Sequence, residues 1–386
     1  MTITVAQSGG PTAAINASLA GVIVAGQKSK QITKILGARY GIDGVLSDNF
    51  VDLTSLSEAD LALLKQTPAT ALGSCRRKLT DEHYDTILAN LKKHDISAFF
   101  YIGGNDSMDT VAKLSRLDSD IKFIGIPKTI DNDLPETDHT PGFGSAAKYV
   151  ATTLKEIARD SFVYDVLSVT IVEIMGRDAG WLTASTCVLQ STGEVHLIYL
   201  PERPFSLDAF IEDVRKLHES GQKQVIVAVS EGLRNECGEY AGASAQSGKA
   251  DAFGHKYLAG VGKFLESQVC ERLGCKVRSV ELNVSQRCAA HLASEVDLRE
   301  AQAVAEAGVA AVLEQNANSV MMAIERVNAP NAPYEANYTP VDVILVANRV
   351  RKFPEEWINS SGNGIESIAN DYFLPLIDGL PKHISL

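Results

Sequence analysis

Apolar positions in this chain come mostly in short unbroken runs instead of alternating with polar ones. Runs rich in Val, Ile and Phe occupy 3–6, 34–36, 98–102, 123–126 and 168–174, and the scheme repeats at 196–200, 225–229, 277–282, 320–324 and 343–346. Longer stretches with helical spacing fit between them, at 13–25, 81–93, 107–117, 145–159, 207–220, 258–273 and 298–314. An unbroken apolar strand is buried on both faces, and such strands alternating with helices make βαβ units around parallel sheets. The pattern predicts an α/β protein with two doubly wound domains. Polar, Gly- and Pro-rich segments at 131–144, 235–253 and 328–339 predict loops.

A length of 386 residues suits about two domains. The chain carries 36 Lys and Arg against 48 Asp and Glu, a net charge of −12, with no block of like charges. Proteins that track nucleic-acid phosphates concentrate cations on one face, so no nucleic-acid partner is expected. Small anionic substrates stay open, because a few inward-facing arginines can hold a phosphate in an acidic protein. Cys75, Cys187, Cys237, Cys270, Cys275 and Cys288 form no CxxC pair, the usage of a reducing compartment. The start MTITVAQSGG has no basic leader, and no run of about 18 apolar residues occurs, so a cytoplasmic protein without membrane contact is expected.

Ligands of open α/β sheets bind beyond the carboxyl ends of the strands. After the first run comes Gln7-Ser8-Gly9-Gly10-Pro11-Thr12, where glycines allow close backbone approach and a helix N-terminus suits a phosphate; a plain tight turn explains the pair equally well. After 98–102 comes Gly103-Gly104-Asn105-Asp106-Ser107, with Ser107 open to reading as an N-cap and Asp106 as an acid complementing the helix dipole. After 123–126 comes Pro127-Lys128-Thr129-Ile130-Asp131-Asn132-Asp133, which gathers a cation, a hydroxyl and two acids where a proton acceptor and a metal could converge. Arg177, Arg278 and Arg287 are placed at further strand ends, where guanidinium forks suit a phosphate, although each alone is more often a surface ion pair. Glu231 suits sugar hydroxyls, or is a capping or paired acid.

Ser8-Gly9-Gly10, Leu72-Gly73-Ser74-Cys75-Arg76, Gly103 to Ser107, Pro127 to Asp133, Met175-Gly176-Arg177 and Gln286-Arg287 follow the order and rough spacing of the phosphofructokinase family. Over about residues 1–310 the chain is identified as a member of it. The resemblance implies the phosphofructokinase fold of two interleaved, Rossmann-like domains. Residues 1–142 with about 286–340 would hold the phosphoryl donor, and 143–285 with about 341–386 the sugar phosphate. The family has ATP-dependent and pyrophosphate-dependent members. ATP enzymes carry glycine where this chain has Asp106 and Lys128; an aspartate there opposes the α-phosphate of ATP, and a lysine serves a shorter donor. The chain resembles the pyrophosphate type at both positions.

By that resemblance Asp131 is the general base, Thr129 and Asp133 orient it and the substrate, and Ile130 lies in the same substrate segment. Gly9, Gly10, Arg76, Gly104 and Lys128 bind diphosphate, with Arg76, Lys128 and Asp106 in the catalytic set. Met175, Gly176, Arg177, Glu231, Arg278 and Arg287 bind the sugar phosphate. Magnesium is implied, with Asn105, where many members have an aspartate, as a weak ligand and diphosphate supplying the rest. Ser168 and Val284 also depart from the family pattern at the sugar-phosphate site. Ala20 and Val24 stand where allosteric ATP enzymes have effector-binding arginines, so nucleotide control is not expected. The implied activity is reversible phosphoryl transfer from diphosphate to fructose 6-phosphate in a homodimer or homotetramer. The alternatives are an ATP-dependent enzyme and a catalytically silent sugar-phosphate-binding subunit. A nicotinamide oxidoreductase would need a GxGxxG turn with an acid downstream, which is missing.

Overall fold

The computed structural model describes residues 1–242, 260–327 and 333–384. The chain forms two compact units, residues 1–145 with 287–351 and residues 146–286 with 352–386. The strands are β1 (Thr2–Gln7), β2 (Lys34–Ala38), β3 (Phe50–Asp52), β4 (Ile96–Gly103), β5 (Lys122–Pro127), β6 (Ser168–Ile174), β7 (Leu197–Tyr199), β8 (Gln224–Ser230), β9 (Lys276–Glu281), β10 (Val320–Arg326) and β11 (Ala336–Asp342).

In the first unit the described strands form one sheet in the order β11-β10-β5-β4-β1-β2-β3. β1 is parallel to both β2 and β4, β4 to β5, and β5 to β10. Chain order therefore runs one way from β1 to β2 and the other way from β4 to β5, so the switch point that attracts ligands lies between β1 and β4. Successive strand residues point to opposite faces. Ile3, Val5, Phe100, Ile102 and Ile124 pack with Ile15, Leu19 and Ile23 on one face, while Ala6, Phe99, Tyr101 and Phe123 pack with Tyr84, Ile87, Val111 and Leu114 on the other. That double cover is what the unbroken apolar runs require.

The helices Ile15–Lys28 and Glu295–Gln315 lie backbone against backbone. A Cβ added at Gly21 would come 2.3 Å from the Gln302 carbonyl oxygen, so only glycine permits this approach. The second unit's described sheet has the order β7-β8-β6-β9, all parallel. Val169, Ile171, Val225, Val227 and Val229 pack there against Phe210, Val214, Leu265 and Val269.

Four expectations change. Residues 343–346 form no strand: Val343–Leu345 is a 3-10 turn in which Val343 and Val346 are buried while Ile344 and Leu345 are exposed, and Asp342 caps it by accepting from the Ile344 N–H at 2.9 Å. Four consecutive apolar residues hid an i, i+3 pattern. The final strand of that sheet is instead β11, antiparallel to β10 and beginning inside the segment expected to be a loop; β3 is likewise antiparallel to β2, so the sheet is mixed at both edges. The strand β9 is half-exposed, at the edge of its sheet. Residues 341–351 lie in the first unit instead of the second. Of the loop expected at 235–253, residues 243–253 lie outside the described residues, as do 328–332 of the loop at 328–339 and the first two residues of the helix expected at 258–273. Among the described residues no helix is long and apolar enough to cross a membrane, and the six cysteines are unpaired.

Candidate active site

The first unit builds its site from three strand ends. Gln7, at the end of β1, is buried and its amide is committed to structure: it donates to Asn16 at 2.8 Å and accepts from the Leu72 N–H at 2.9 Å. Asn16 in turn donates to the Thr67 carbonyl at 2.8 Å and accepts from the Ala71 N–H at 3.0 Å. These bonds hold the Gly73 to Arg76 segment against the end of β1, and the Ser74 hydroxyl donates to the Gly9 carbonyl at 2.7 Å. Gly9 has φ +74°, so the turn needs glycine for its conformation, and a Cβ there would lie 3.3 Å from Lys128 Nζ.

Three cations converge on that turn. Lys128 follows β5, is almost fully buried, and donates from Nζ to the Gly10 carbonyl at 2.8 Å, while its N–H bonds the Gly103 carbonyl at 3.0 Å. Measured from the position a Gly10 Cβ would take, an Arg287 nitrogen lies 3.5 Å away and an Arg76 nitrogen 3.9 Å. Burial, joined by the Arg76 and Arg287 charges, lowers the Lys128 pKa to about 8 against the opposing pull of Asp131 and Asp133. Burial and the Arg76 charge lower the Arg287 pKa as well. A cluster of like charges held partly out of water is a site for a compact polyanion. Arg287, grouped with the sugar-phosphate residues from sequence, thus stands beside Gly10, Arg76 and Lys128.

The loop after β5 closes on itself. The Thr129 hydroxyl accepts the Asp131 N–H at 3.1 Å, the Thr140 hydroxyl donates to the Thr129 carbonyl at 2.8 Å, and the buried Asn132 side chain accepts the Thr140 N–H at 3.1 Å. Ile130 is buried beneath it, which leaves Asp131 partly exposed. From below, Asp297 of the helix Glu295–Gln315 accepts the Gly142 and Ser145 N–H groups at 2.8 and 2.9 Å.

Asn105 opens the helix Asn105–Leu117 and Asp106 is exposed in its first turn; the N-cap is Gly104 and Ser107 is buried inside the helix, so Ser107 is no cap. The Asn105 amide is engaged on both sides, its oxygen accepting the Asn348 N–H at 2.6 Å and its nitrogen donating to the Arg349 carbonyl. Among the described residues no group of three or more His, Cys, Asp or Glu could hold a metal ion. A divalent ion would find one amide oxygen with a single lone pair left and no carboxylate cage. That donor set fits an ion carried chiefly by substrate phosphates.

In the second unit, Met175 and Gly176 follow β6 and Glu231 follows β8. The Met175 N–H donates to Gln286 at 3.1 Å, the Glu231 N–H to the Ile174 carbonyl at 2.9 Å, and the Gly176 N–H to the Glu231 carboxylate at 3.4 Å. Arg177 continues that turn, partly buried. Arg278 is not at a strand end: it sits inside β9 opposite Thr170, half-exposed, 3.3 Å from Asp160. Sequence reasoning missed Gln7, Asn16, Asp297 and Arg351, whose partners are mostly backbone groups far away in the chain. Asn16, a polar residue inside a predicted helix, was the one signal among them.

The phosphofructokinase family profile matches residues 2–312. A pyrophosphate–fructose 6-phosphate 1-phosphotransferase of Xanthomonas campestris is 43% identical, with 99% of this chain and 95% of the relative covered. One of Halomonas elongata is 39% identical, covering 97% and 91%. The crystal structure of a pyrophosphate-dependent phosphofructokinase from Marinobacter aquaeolei superposes with a TM-score of 0.87 at 37% identity, covering 98% of this chain and 92% of that one. With two α/β units, a cationic turn at the β1/β4 switch point and these relatives over nearly the whole length, the chain belongs to the phosphofructokinase family.

Proposed function

We propose that the protein transfers a phosphoryl group reversibly from diphosphate to the 1-hydroxyl of fructose 6-phosphate, yielding fructose 1,6-bisphosphate and phosphate. The observation that carries this reading is the buried Lys128, bonded to the Gly10 carbonyl with Arg76 and Arg287 beside the same glycine. Lys128 and the exposed Asp106 stand where ATP-using relatives would need space for a nucleotide. A short, highly charged donor matches the cluster, and the names of the relatives support the same donor and acceptor.

In the proposed reaction Asp131 takes the proton of the 1-hydroxyl, whose oxygen attacks the nearer phosphorus of diphosphate. The bridging P–O bond breaks and phosphate leaves with the electron pair. Arg76, Lys128 and the Gly9 and Gly10 N–H groups face the equatorial and leaving oxygens, where phosphoryl transfer gains most from fixed positive charge. Gly104 admits the donor closely, while Thr129 and Asp133 set the base and the acceptor. Met175, Gly176, Arg177, Glu231 and Arg278 hold the sugar phosphate, and Arg287 bridges the donor group. Magnesium bound with diphosphate supplies further charge neutralisation, and Asn105 offers its remaining lone pair. We assign the protein to the cytoplasm, as a homodimer or homotetramer without nucleotide control.

The test is an assay of purified protein with fructose 6-phosphate and either diphosphate or ATP. Diphosphate is expected to be used at least about 100-fold better by kcat/KM, equivalent to about 2.8 kcal/mol of transition-state stabilisation. Equal use of ATP overturns the reading.

A further inference from the structure

We propose that Arg351, outside the residues the family profile matches, is a positioning residue that sets the loop bearing the base; the inference rests on the assignment of Asp131 above. Its guanidinium donates to three backbone carbonyls of that loop, those of Thr137 and Asp138 at 2.6 Å each and that of Asn132 at 3.0 Å. Its own N–H donates to the Asp133 carbonyl at 2.7 Å. The residues immediately before it hold the neighbouring strand end: the Asn348 N–H and the Arg349 carbonyl bond the two ends of the Asn105 amide, and the Asn348 side chain donates to Asp109 at 2.9 Å. The stretch is anchored by Val343 and Val346, both buried against the Phe99, Tyr101 and Phe123 face of the sheet. One short segment therefore fixes the spacing between the turn after β4 and the loop after β5.

The loop needs such an anchor. Between Asn132 and Asp138 it runs without regular secondary structure, and Asn132 holds φ +55°, a conformation that non-glycine residues seldom adopt. Asp131 lies one residue before that position. A planar, always-charged fork can satisfy several carbonyls in one geometry, which a lysine ammonium on a flexible stem cannot. When the fork is removed, the Asn132 to Asp138 backbone is free to relax and carry the base out of line with its hydroxyl. Displacements of about 1 Å cost about 100-fold in rate. Because this fork acts on the loop through its backbone carbonyls, its loss should move kcat and spare binding.

The experiment compares wild type, Arg351→Ala, Arg351→Lys and Asp131→Asn with diphosphate and fructose 6-phosphate, recording kcat, both KM values, circular dichroism and rescue by guanidinium chloride at tens of millimolar. Arg351→Ala is expected to lower kcat about 10- to 100-fold with both KM values within about threefold of wild type. Added guanidinium should restore kcat at least about fivefold, and Arg351→Lys should fall between the two. A kcat for Arg351→Ala within about twofold of wild type overturns the proposal, as does a loss that guanidinium leaves unchanged. Should the alanine variant fail to fold, Arg351→Lys decides, and a wild-type kcat there overturns the proposal equally. Asp131→Asn separates the two assignments. Wild-type turnover in that variant removes the base itself, whereas its inactivity beside an unaffected Arg351→Ala removes only the positioning role.

Discussion

The imidazole Nε2 of His139 lies 2.6 Å from a Glu300 carboxylate oxygen, and both side chains are buried. Nδ1 of the same ring is 2.8 Å from Asp138, which also pairs with Arg326 at 3.3 Å, and the Tyr334 hydroxyl donates to Glu300 at 2.6 Å. Burial opposes a charge on His139, but the hydrogen bonds of Asp138 and Glu300 outweigh it and raise the pKa from 6.5 to about 9. The imidazolium ties the end of the base-bearing loop to the helix Glu295–Gln315.

A raised histidine pKa stabilises the fold fully below the unfolded value of about 6.5, and the gain disappears as pH rises through about 9. Resistance to urea is therefore expected to decline between pH 6.5 and 9, by at most about 3 kcal/mol. His139→Gln should lose stability at pH 6 and flatten the profile over that window. A wild-type profile that rises from pH 6.5 to 9 would contradict the imidazolium assignment.

One turn away on the same helix, the buried Asp297 carboxylate receives the N–H groups of Gly142 and Ser145 and the Ser145 hydroxyl. Asp297→Ala leaves two backbone donors without an acceptor, at about 1–3 kcal/mol each. The expected result is a lower urea midpoint, by the equivalent of about 3 kcal/mol or more, and Asp297→Asn should recover part of it because its amide oxygen still accepts. Equal midpoints for wild type and the alanine variant would show that the loop finds other partners.

What could be read from the residues alone divides along a physical line. Unbroken apolar strands and glycine-rich strand ends are local patterns, so β1, β4, β5, β6 and β8 and the turns after them were legible. Residues 343–346 were misread because four apolar residues fit a strand or a turn until tertiary packing decides which of them are buried. Arg278 looked like a strand-end cation, but an edge strand with alternating exposure leaves it inside β9, beside Asp160. Arg351 gave no signal because its acceptors are carbonyls more than 200 residues earlier in the chain.

Lys128 gives the proposed chemistry a pH dependence. With a pKa near 8 the ammonium is charged in most molecules at pH 7 and loses its proton as pH rises through that value. The free enzyme's ionisation appears in kcat/KM, so kcat/KM for diphosphate should fall on a basic limb near pH 8. Bound diphosphate stabilises the cation, which moves the corresponding limb of kcat to higher pH. Lys128→Arg keeps its charge throughout, and its basic limb should shift upward even where its absolute rate is lower. An unmoved limb would assign it to another group.

Donor choice is the sharpest consequence of the site. Asp106 projects from the first turn of its helix, where a carboxylate complements the positive helix end but opposes any phosphate beyond the second. Lys128 returns to the Gly10 carbonyl, and under the proposed assignment a longer donor would have to pass it. Asp106→Gly together with Lys128→Gly removes the repulsion and the bulk, and also the cation that compensates for the missing nucleotide. The double variant is expected to lose about 100-fold or more in kcat/KM for diphosphate and to gain measurable turnover with ATP. Asp106→Gly alone should lower kcat/KM for diphosphate by less than the double variant does, since Lys128, Arg76 and Arg287 remain. Competition assays with both donors would measure the ratio directly. Retained diphosphate preference in the double variant would place the selectivity in the Gly9–Gly10 turn and its arginines instead.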